Sequence, residues 1–328
     1  MLFRRKRQQI YLYYIIFPEE KKDVFMIRWK KLFAALPLLL TACASPTEQA
    51  QTETVWAMDT ACTITLHGGG VSETASLLRT LDETLDNYST DSAVSRLNQS
   101  GTLSGEEDVS RLVQETAALQ RDYGDSVDLT VGQLTRLWGI TTDTPHVPTR
   151  AELAEVLPTI SPEHVSVQAD GTVTLTDGAQ LDCGAVGKGY SLDRVKAALD
   201  ESGTAAWGTV SMTSSILCYG DGTLGTVSTD SCFLSTSGGY ERYFIADDGK
   251  KYCHILDPKT GMPAESDLTT VTVFCDSGLK SDFLSTLIWM EGSENLPAHL
   301  KAKEYQIVAQ DTAGTLYVSD GLDFTPDA

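Results

Sequence analysis

Paired cysteine motifs, a phosphate-cradling Walker loop and, in the body of the sequence, basic patches are missing from this 328-residue chain. No two of its 7 cysteines stand as C-x-x-C, which argues against a zinc or thioredoxin-like site. No G-x-G-x-x-G stands between a strand and a helix and the G-x-x-x-x-G-K-[ST] spacing does not occur, so neither a Rossmann dinucleotide site nor a Walker A loop is indicated. Lys and Arg number 25 against 45 Asp and Glu, a net charge of -20. Such a chain has no means of displacing counterions from a phosphate backbone, so no nucleic-acid partner is expected. There are no internal repeats and no apolar run approaching the roughly 20 residues of a membrane-spanning helix. What is present is a 41% hydrophobic composition on a chain long enough for one large domain or two modest ones with a real core.

The N-terminus differs from the rest. Residues 1–42 hold nine Lys/Arg and three acids, a net +6, which leaves -26 on the remainder. Met26 opens a compact unit: a basic Arg28-Trp29-Lys30-Lys31, an apolar run from Leu32 to Leu40, then Leu40-Thr41-Ala42-Cys43. A short apolar core ending in small residues is an export signal, and Leu-Thr-Ala-Cys has the form of a lipobox, with Cys43 as the lipidated residue. Residues 26–43 are therefore read as a lipoprotein signal and residues 1–25 as an upstream extension, with Met26 the start. Residues 44–54 are small and polar, the composition of a tether, and the folded domain is expected over 55–328. The protein is expected outside the cytoplasmic membrane, held to it by the lipid on Cys43. Six cysteines remain; an exported chain could join them in three bridges, but the apolar surroundings of Cys218 and Cys275 suit buried thiols, which is the reading preferred.

Hydrophobic spacing gives the coarse structure. Thr60 to Leu66 alternates as a strand closed by Gly68-Gly69-Gly70, and Ser72 to Asp86 has helical spacing through Ala75, Leu78, Leu81 and Leu85. A helix is expected over Val109 to Asp122 and another over Gly187 to Glu201. Val165 to Leu175 reads as a hairpin turning at Ala169-Asp170-Gly171, and Thr204 to Phe274 as short strands between Gly, Asp and Ser turns. Segregated helices and hairpins predict an α+β fold, a single domain of mixed, largely antiparallel strands with packed helices, rather than a doubly wound parallel sheet.

Three clusters carry the chemistry. In Ser277 to Ile288, a helix capped by Ser277, Asp282 and Thr286 stand four apart on one face and offer hard oxygen ligands of the kind Mg²⁺ takes beside a phosphate. By spacing alone, a first-turn acid favoured by the helix dipole and a Thr bonding back to the preceding turn is the more economical explanation. In Asp182-Cys183-Gly184-Ala185-Val186-Gly187-Lys188-Gly189, three glycines around a lysine at a helix start could bring N–H groups and an ammonium to an anion, although such turns are more often structural. The third runs from Ser237-Gly238 through Tyr240-Glu241-Arg242 to His254-Ile255-Leu256-Asp257-Pro258. His254, one of 5 histidines, is the natural general base, whereas Asp257-Pro258-x-x-Gly261 also makes a competent turn.

Taken in order, Met58-Asp59-Thr60, Tyr88 to Asn98, Asp128-Leu129-Thr130 to Gly139, Asp182 to Asp193, Ser237 to Arg242, His254 to Pro263 and Asp282-x-x-x-Thr286 resemble the FAD:protein FMN transferases, the ApbE family. The resemblance runs from Met58 to about Gly292. It implies a Mg²⁺-dependent transfer of FMN from FAD, with release of AMP, to a Ser or Thr hydroxyl of an extracytoplasmic acceptor protein. Carried over by position, Asp282, Thr286 and the Ala185 carbonyl would bind Mg²⁺. Met58, Tyr88, Asp128, Leu129, Thr130, Asp182 and Lys188 would contact FAD, and His254 would deprotonate the acceptor. Lipoproteins are common in the family, in agreement with Cys43. The chain departs from the pattern where Thr213-Ser214 replaces a Gly pair, which adds bulk and removes access to positive φ. Asp59 for Gly and Gly239 for an acid are milder changes. Two other readings use the same site: hydrolysis of FAD to FMN and AMP, with water in place of the acceptor, and a lipoprotein that binds FAD without chemistry.

Overall fold

A computed structural model describes residues 13–16, 49–203, 206–212, 218–219, 222–228, 232–240, 242–247 and 249–327. The lipobox with Cys43, the signal segment and the Thr213-Ser214 departure lie outside the described residues. The fold is α+β, as the segregated pattern predicts. Its frame is an eight-stranded sheet in the order Leu316–Val318, Gln306–Asp311, Leu268–Cys275, Phe233–Ser237, Tyr13–Ile16, Trp207–Ser211, Thr60–His67, Gln51–Ala57. Every neighbouring pair is antiparallel. Eight helices complete the described chain: α1 Val71–Leu85, α2 Ala93–Ser100, α3 Glu107–Tyr123, α4 Gly132–Trp138, α5 Arg150–Val156, α6 Gly187–Glu201, α7 Gly278–Glu291 and the short α8 Leu296–His299.

Alternation decides which strand face is covered. In Thr60–His67, Cys62, Ile64 and Leu66 are fully buried and pack with Val71, Ala75 and Leu78 of α1 and Leu192, Val195 and Leu199 of α6. The Leu268–Cys275 strand is buried on both faces. Val271, Val273 and Cys275 meet Leu279, Phe283, Leu284 and Leu287 of α7, while Phe274 joins Leu234 and Val308 beneath Val227 and Phe324 of a separate strand pair. α7 itself packs against α6 and against the Phe233–Ser237 and Leu268–Cys275 strands, so it is buried nearly all round, Ser281, Asp282 and Ser285 included.

The sequence-derived helices recur at 71–85, 107–123, 187–201 and 278–291, and the 165–175 hairpin turns where expected. Four short helices were not anticipated: α2, α4 and α5, of seven or eight residues, and the four-residue α8 offer about two turns of periodicity at most. Two boundaries also shift. The Gln51–Ala57 strand begins inside the stretch 44–54 assigned to a tether, so the folded body starts at or before Gln51. Tyr13–Ile16, inside the stretch 1–25 assigned to an upstream extension, pairs with both Trp207–Ser211 and Phe233–Ser237. No helix among the described residues is long and apolar enough to cross a membrane.

Two backbone features shape the region between sheet and helices. Met58 and Asp59 adopt φ 53 and 56 and join Ala57 to Thr60 as a two-residue hairpin loop in the left-handed region, where Gly is favoured and Asp is tolerated. At the crossing of α6 and α7 the backbones touch: a Cβ on Gly189 would lie 2.1 Å from the Gly278 carbonyl oxygen. The five cysteines whose side chains are described are all free thiols, and burial pushes Cys62 and Cys275 up to about 12.

Candidate active site

A cavity of about 300 Å³ lies between the Met58-Asp59 turn, the end of α1, α4, the 182–188 loop and Arg242 and His254, with α7 as its wall. Met58, Tyr88, Asp128, Asp182, Ala185, Lys188, His254, Asp282 and Thr286 all border it. Two of the expected residues do not. Leu129 belongs to the main core, and Thr130 is fully buried. Thr130 holds its neighbour instead: its N–H and its hydroxyl both donate to Asp128 Oδ1 at 2.8 Å, while the hydroxyl accepts from Ser161 N–H. Burial nonetheless raises the Asp128 carboxyl above the usual range.

The oxygen cluster is built by two helices. Asp282 is the fifth residue of α7 and 1% exposed, so it is not the first-turn surface acid that its spacing allowed. Its Oδ2 accepts from Gly189 N–H at 2.9 Å. Thr286 is not bonded back to the preceding turn either; its hydroxyl meets Ser237 Oγ at 3.1 Å, and Ser237 is itself tied to Ser285. Because Gly189 N–H turns to Asp282, it is lost to the carbonyl four residues earlier, that of Ala185. No donor among the described residues bonds that carbonyl. A carboxylate, a hydroxyl and an unclaimed carbonyl thus border one cavity, a hard-oxygen set suited to a small divalent cation that keeps ligand or water oxygens in its remaining positions. Among the described residues no group of three or more His, Cys, Asp or Glu could hold a metal, so a soft-ligand centre is not formed there.

The Gly-rich loop is largely structural, the commoner role of such a turn. Gly184 N–H donates to Asp182 Oδ1, Gly187 N–H to the Cys183 carbonyl and Gly189 N–H to Asp282, so these three donors serve the protein rather than an anion. The positive charge that remains is Lys188 in the first turn of α6. Asp182 also accepts from Thr135 Oγ1 at 2.7 Å and Asn87 Nδ2 at 3.1 Å, leaving about one of a carboxylate's four acceptor sites for a ligand. Behind it, Asn98 exchanges two hydrogen bonds with the Leu181 backbone and donates to Asn87, which also accepts from Arg136. Asn98 and Arg136 stand in the quoted motifs, but nothing in their spacing marked them as supports of Asp182.

On the opposite wall, His254 Nδ1 lies 3.2 Å from the Arg242 carbonyl, whose oxygen can only accept. The ring proton therefore sits on Nδ1, which makes Nε2 the acceptor nitrogen of the neutral ring. Burial, then the nearby Arg242 and Lys188 charges, push the His254 pKa down to about 3, so the ring is neutral. Arg242 also borders the cavity, and its guanidinium reaches across to Asp59, at 3.6 Å from the carboxylate and 3.3 Å from the carbonyl. Asp257 to Gly261 is the turn its composition allowed: Asp257 accepts from Lys259 N–H and Thr260 Oγ1, and the Gly261 carbonyl accepts from Trp138 Nε1. Tyr88 and Trp56 stand exposed at the mouth, with the Arg136 guanidinium 5.8 Å from the Tyr88 ring.

Residues 58–309 match the model of the ApbE family. Curated relatives include a Klebsiella pneumoniae FAD:protein FMN transferase, 30% identical over 60% of this chain and 66% of its own length. A Treponema pallidum protein of the same name is 30% identical over 70% of this chain and 74% of its own length. The chain thus spans about two thirds to three quarters of these relatives. Among solved structures, Pseudomonas stutzeri flavinyl transferase ApbE is similar with a TM-score of 0.68 and 26% identity, over 83% of this chain and 95% of that one. An ApbE protein from Thermotoga maritima shares the fold with a TM-score of 0.71, over 83% of this chain and 97% of that one. With the match extending over most of its length, the chain belongs to the ApbE family.

Proposed function

We propose that this protein is a Mg²⁺-dependent FAD:protein FMN transferase, which moves FMN from FAD to a Ser or Thr hydroxyl of an extracytoplasmic protein and releases AMP. The observation that carries the reading is the arrangement around one cavity of a neutral His254, the buried Asp282, the Thr286 hydroxyl and the unclaimed Ala185 carbonyl. It occurs in a chain whose relatives bear that name. Bound to those three oxygens, Mg²⁺ would offset charge on the diphosphate and orient it for in-line displacement.

The protein's own groups supply the rest. His254 Nε2 accepts the proton of the acceptor hydroxyl; that oxygen bonds to the FMN phosphorus as the bond to the AMP oxygen breaks. The proton on Nδ1 stays with the Arg242 carbonyl throughout, which fixes the ring. Lys188 and Arg242 set positive charge beside the diphosphate, but Asp59, Asp82, Asp86, Asp128, Asp182 and Asp282 border the same cavity, so a bound Mg²⁺ would be needed to offset the acidic field there. Tyr88 and Trp56 present ring faces on which a flavin or adenine can stack, and Met58 adds an apolar contact. The remaining acceptor site of Asp182, and Asp128 held by Thr130, suit N–H or hydroxyl groups of FAD.

The lipobox at Cys43 supports an extracytoplasmic, lipid-anchored location, where the acceptor would also reside. Purified protein incubated with FAD, Mg²⁺ and a candidate acceptor, and followed by in-gel flavin fluorescence, tests the activity. A Mg²⁺-dependent fluorescent acceptor band is expected, lost in Asp282→Ala. Free FMN and AMP without that band would instead indicate hydrolysis, and unaltered FAD a binding protein.

A further inference from the structure

Asp193 borders no part of the cavity, yet it makes the densest polar contact between the two helices that build it. It lies on α6, four residues and one turn beyond Gly189. Its Oδ1 accepts from Gly278 N–H at 2.7 Å, and its Oδ2 from Leu279 N–H at 2.8 Å and Ser277 Oγ at 2.9 Å. Ser277 Oγ in turn accepts from Lys280 N–H at 3.2 Å. Three of the four N–H groups that open α7 are thereby satisfied, two of them by a side chain of another helix rather than by an ordinary cap. A carboxylate there also meets the positive end of the α7 dipole.

One turn back, Gly189 presses its backbone against Gly278 and directs its N–H to Asp282 Oδ2. The same face of α6 therefore grips α7 twice, at its N-terminus through Asp193 and at Asp282 through Gly189. Two grips a turn apart fix both sliding and rotation of α7. Either motion would carry Asp282 and Thr286 away from the Ala185 carbonyl, which belongs to the loop that begins α6.

We infer that Asp193 is a positioning residue, setting the register of α7 on α6 so that the Asp282, Thr286 and Ala185 oxygens converge on one divalent cation. The inference rests on the metal reading proposed above. A cap that served stability alone would leave cation affinity in the folded protein unchanged.

Titration of the full-length, FAD-free protein with Mn²⁺, with free Mn²⁺ read by electron paramagnetic resonance, separates the cases without using activity. Each variant is also unfolded in urea to score its stability. Wild type should bind and Asp282→Ala should not. Asp193→Ala should weaken binding by about 10-fold or more, as removal of outer supports of metal ligands commonly does, with Asp193→Asn between the two. Ser92→Ala removes the side-chain cap of α2, a comparable stability defect remote from the crossing, and should bind as wild type does. Asp193→Ala binding as tightly as wild type, or weakening no more than Ser92→Ala, overturns the inference. Should Asp193→Ala fail to fold, Asp193→Asn decides by the same criterion. Equal binding by wild type and Asp282→Ala overturns the metal reading itself, and the inference with it.

Discussion

His254 borders the cavity with its two ring nitrogens already distinguished, Nδ1 as the donor to the Arg242 carbonyl and Nε2 as the acceptor. Replacing it with Ala should cost about 10²–10⁴-fold in transfer, the usual contribution of a general base, while FAD binding measured by fluorescence quenching stays close to wild type. Its depressed pKa has a second consequence. The unfolded ring takes a proton near its ordinary 6.5 and the folded ring only near 3, so between those values the unfolded state holds more protons. Stability from this group is thus complete above about 6.5 and is lost as pH falls toward 3. Urea unfolding across that window should show a flatter acid loss in His254→Asn than in wild type. Because the Arg242 charge depresses the His254 pKa most after burial, Arg242→Ala should move the acid limb of kcat/KM to higher pH. His254 could be singled out as a candidate base from its rarity and motif, whereas the tautomer could not, since it depends on a carbonyl twelve residues away brought opposite by a hairpin.

The helices α6 and α7 carry the oxygen cluster as one unit. From sequence, Gly189 belonged to a turn that could be structural or could cradle an anion, and Gly278 to a helix start; folded, the two permit a backbone contact that no side chain tolerates. Gly189→Ala should therefore destabilise the protein by about 1–3 kcal/mol or more through overpacking, read as a lower urea midpoint, and weaken cation binding together with stability. Sequence spacing located both long helices because their apolar faces persist over four turns. It did not reveal Asp193, Asn98 or Arg136 as supports, because each acts on a partner distant in sequence. Leu129 and Thr130 were assigned to the ligand with Asp128 because a motif gives order and not direction; alternation turns one into the core and makes the other a brace for Asp128.

At the scale of the molecule, the family match from residue 58 to 309 and the two largest hydrophobic clusters both lie within the chain that would remain after processing at Cys43. The Tyr13–Ile16 strand does not, although it bridges Trp207–Ser211 and Phe233–Ser237. A chain beginning at Ala44 should still unfold cooperatively in urea with wild-type near-ultraviolet dichroism. Loss of cooperative unfolding would bind residues 13–16 to the fold and argue against cleavage at Cys43. Composition foresaw the acidic body, but that Lys188 and Arg242 border one otherwise acidic cavity emerges only when the 182–188 loop faces the 242–254 hairpin. The central claim, that this cavity hands FMN to a protein hydroxyl, is tested most directly by quantifying AMP and covalently flavinylated acceptor in the same Mg²⁺-containing reaction. The account predicts that the two appear in equal amounts and vanish together in His254→Ala; AMP formed with free FMN and no flavinylated acceptor would contradict it.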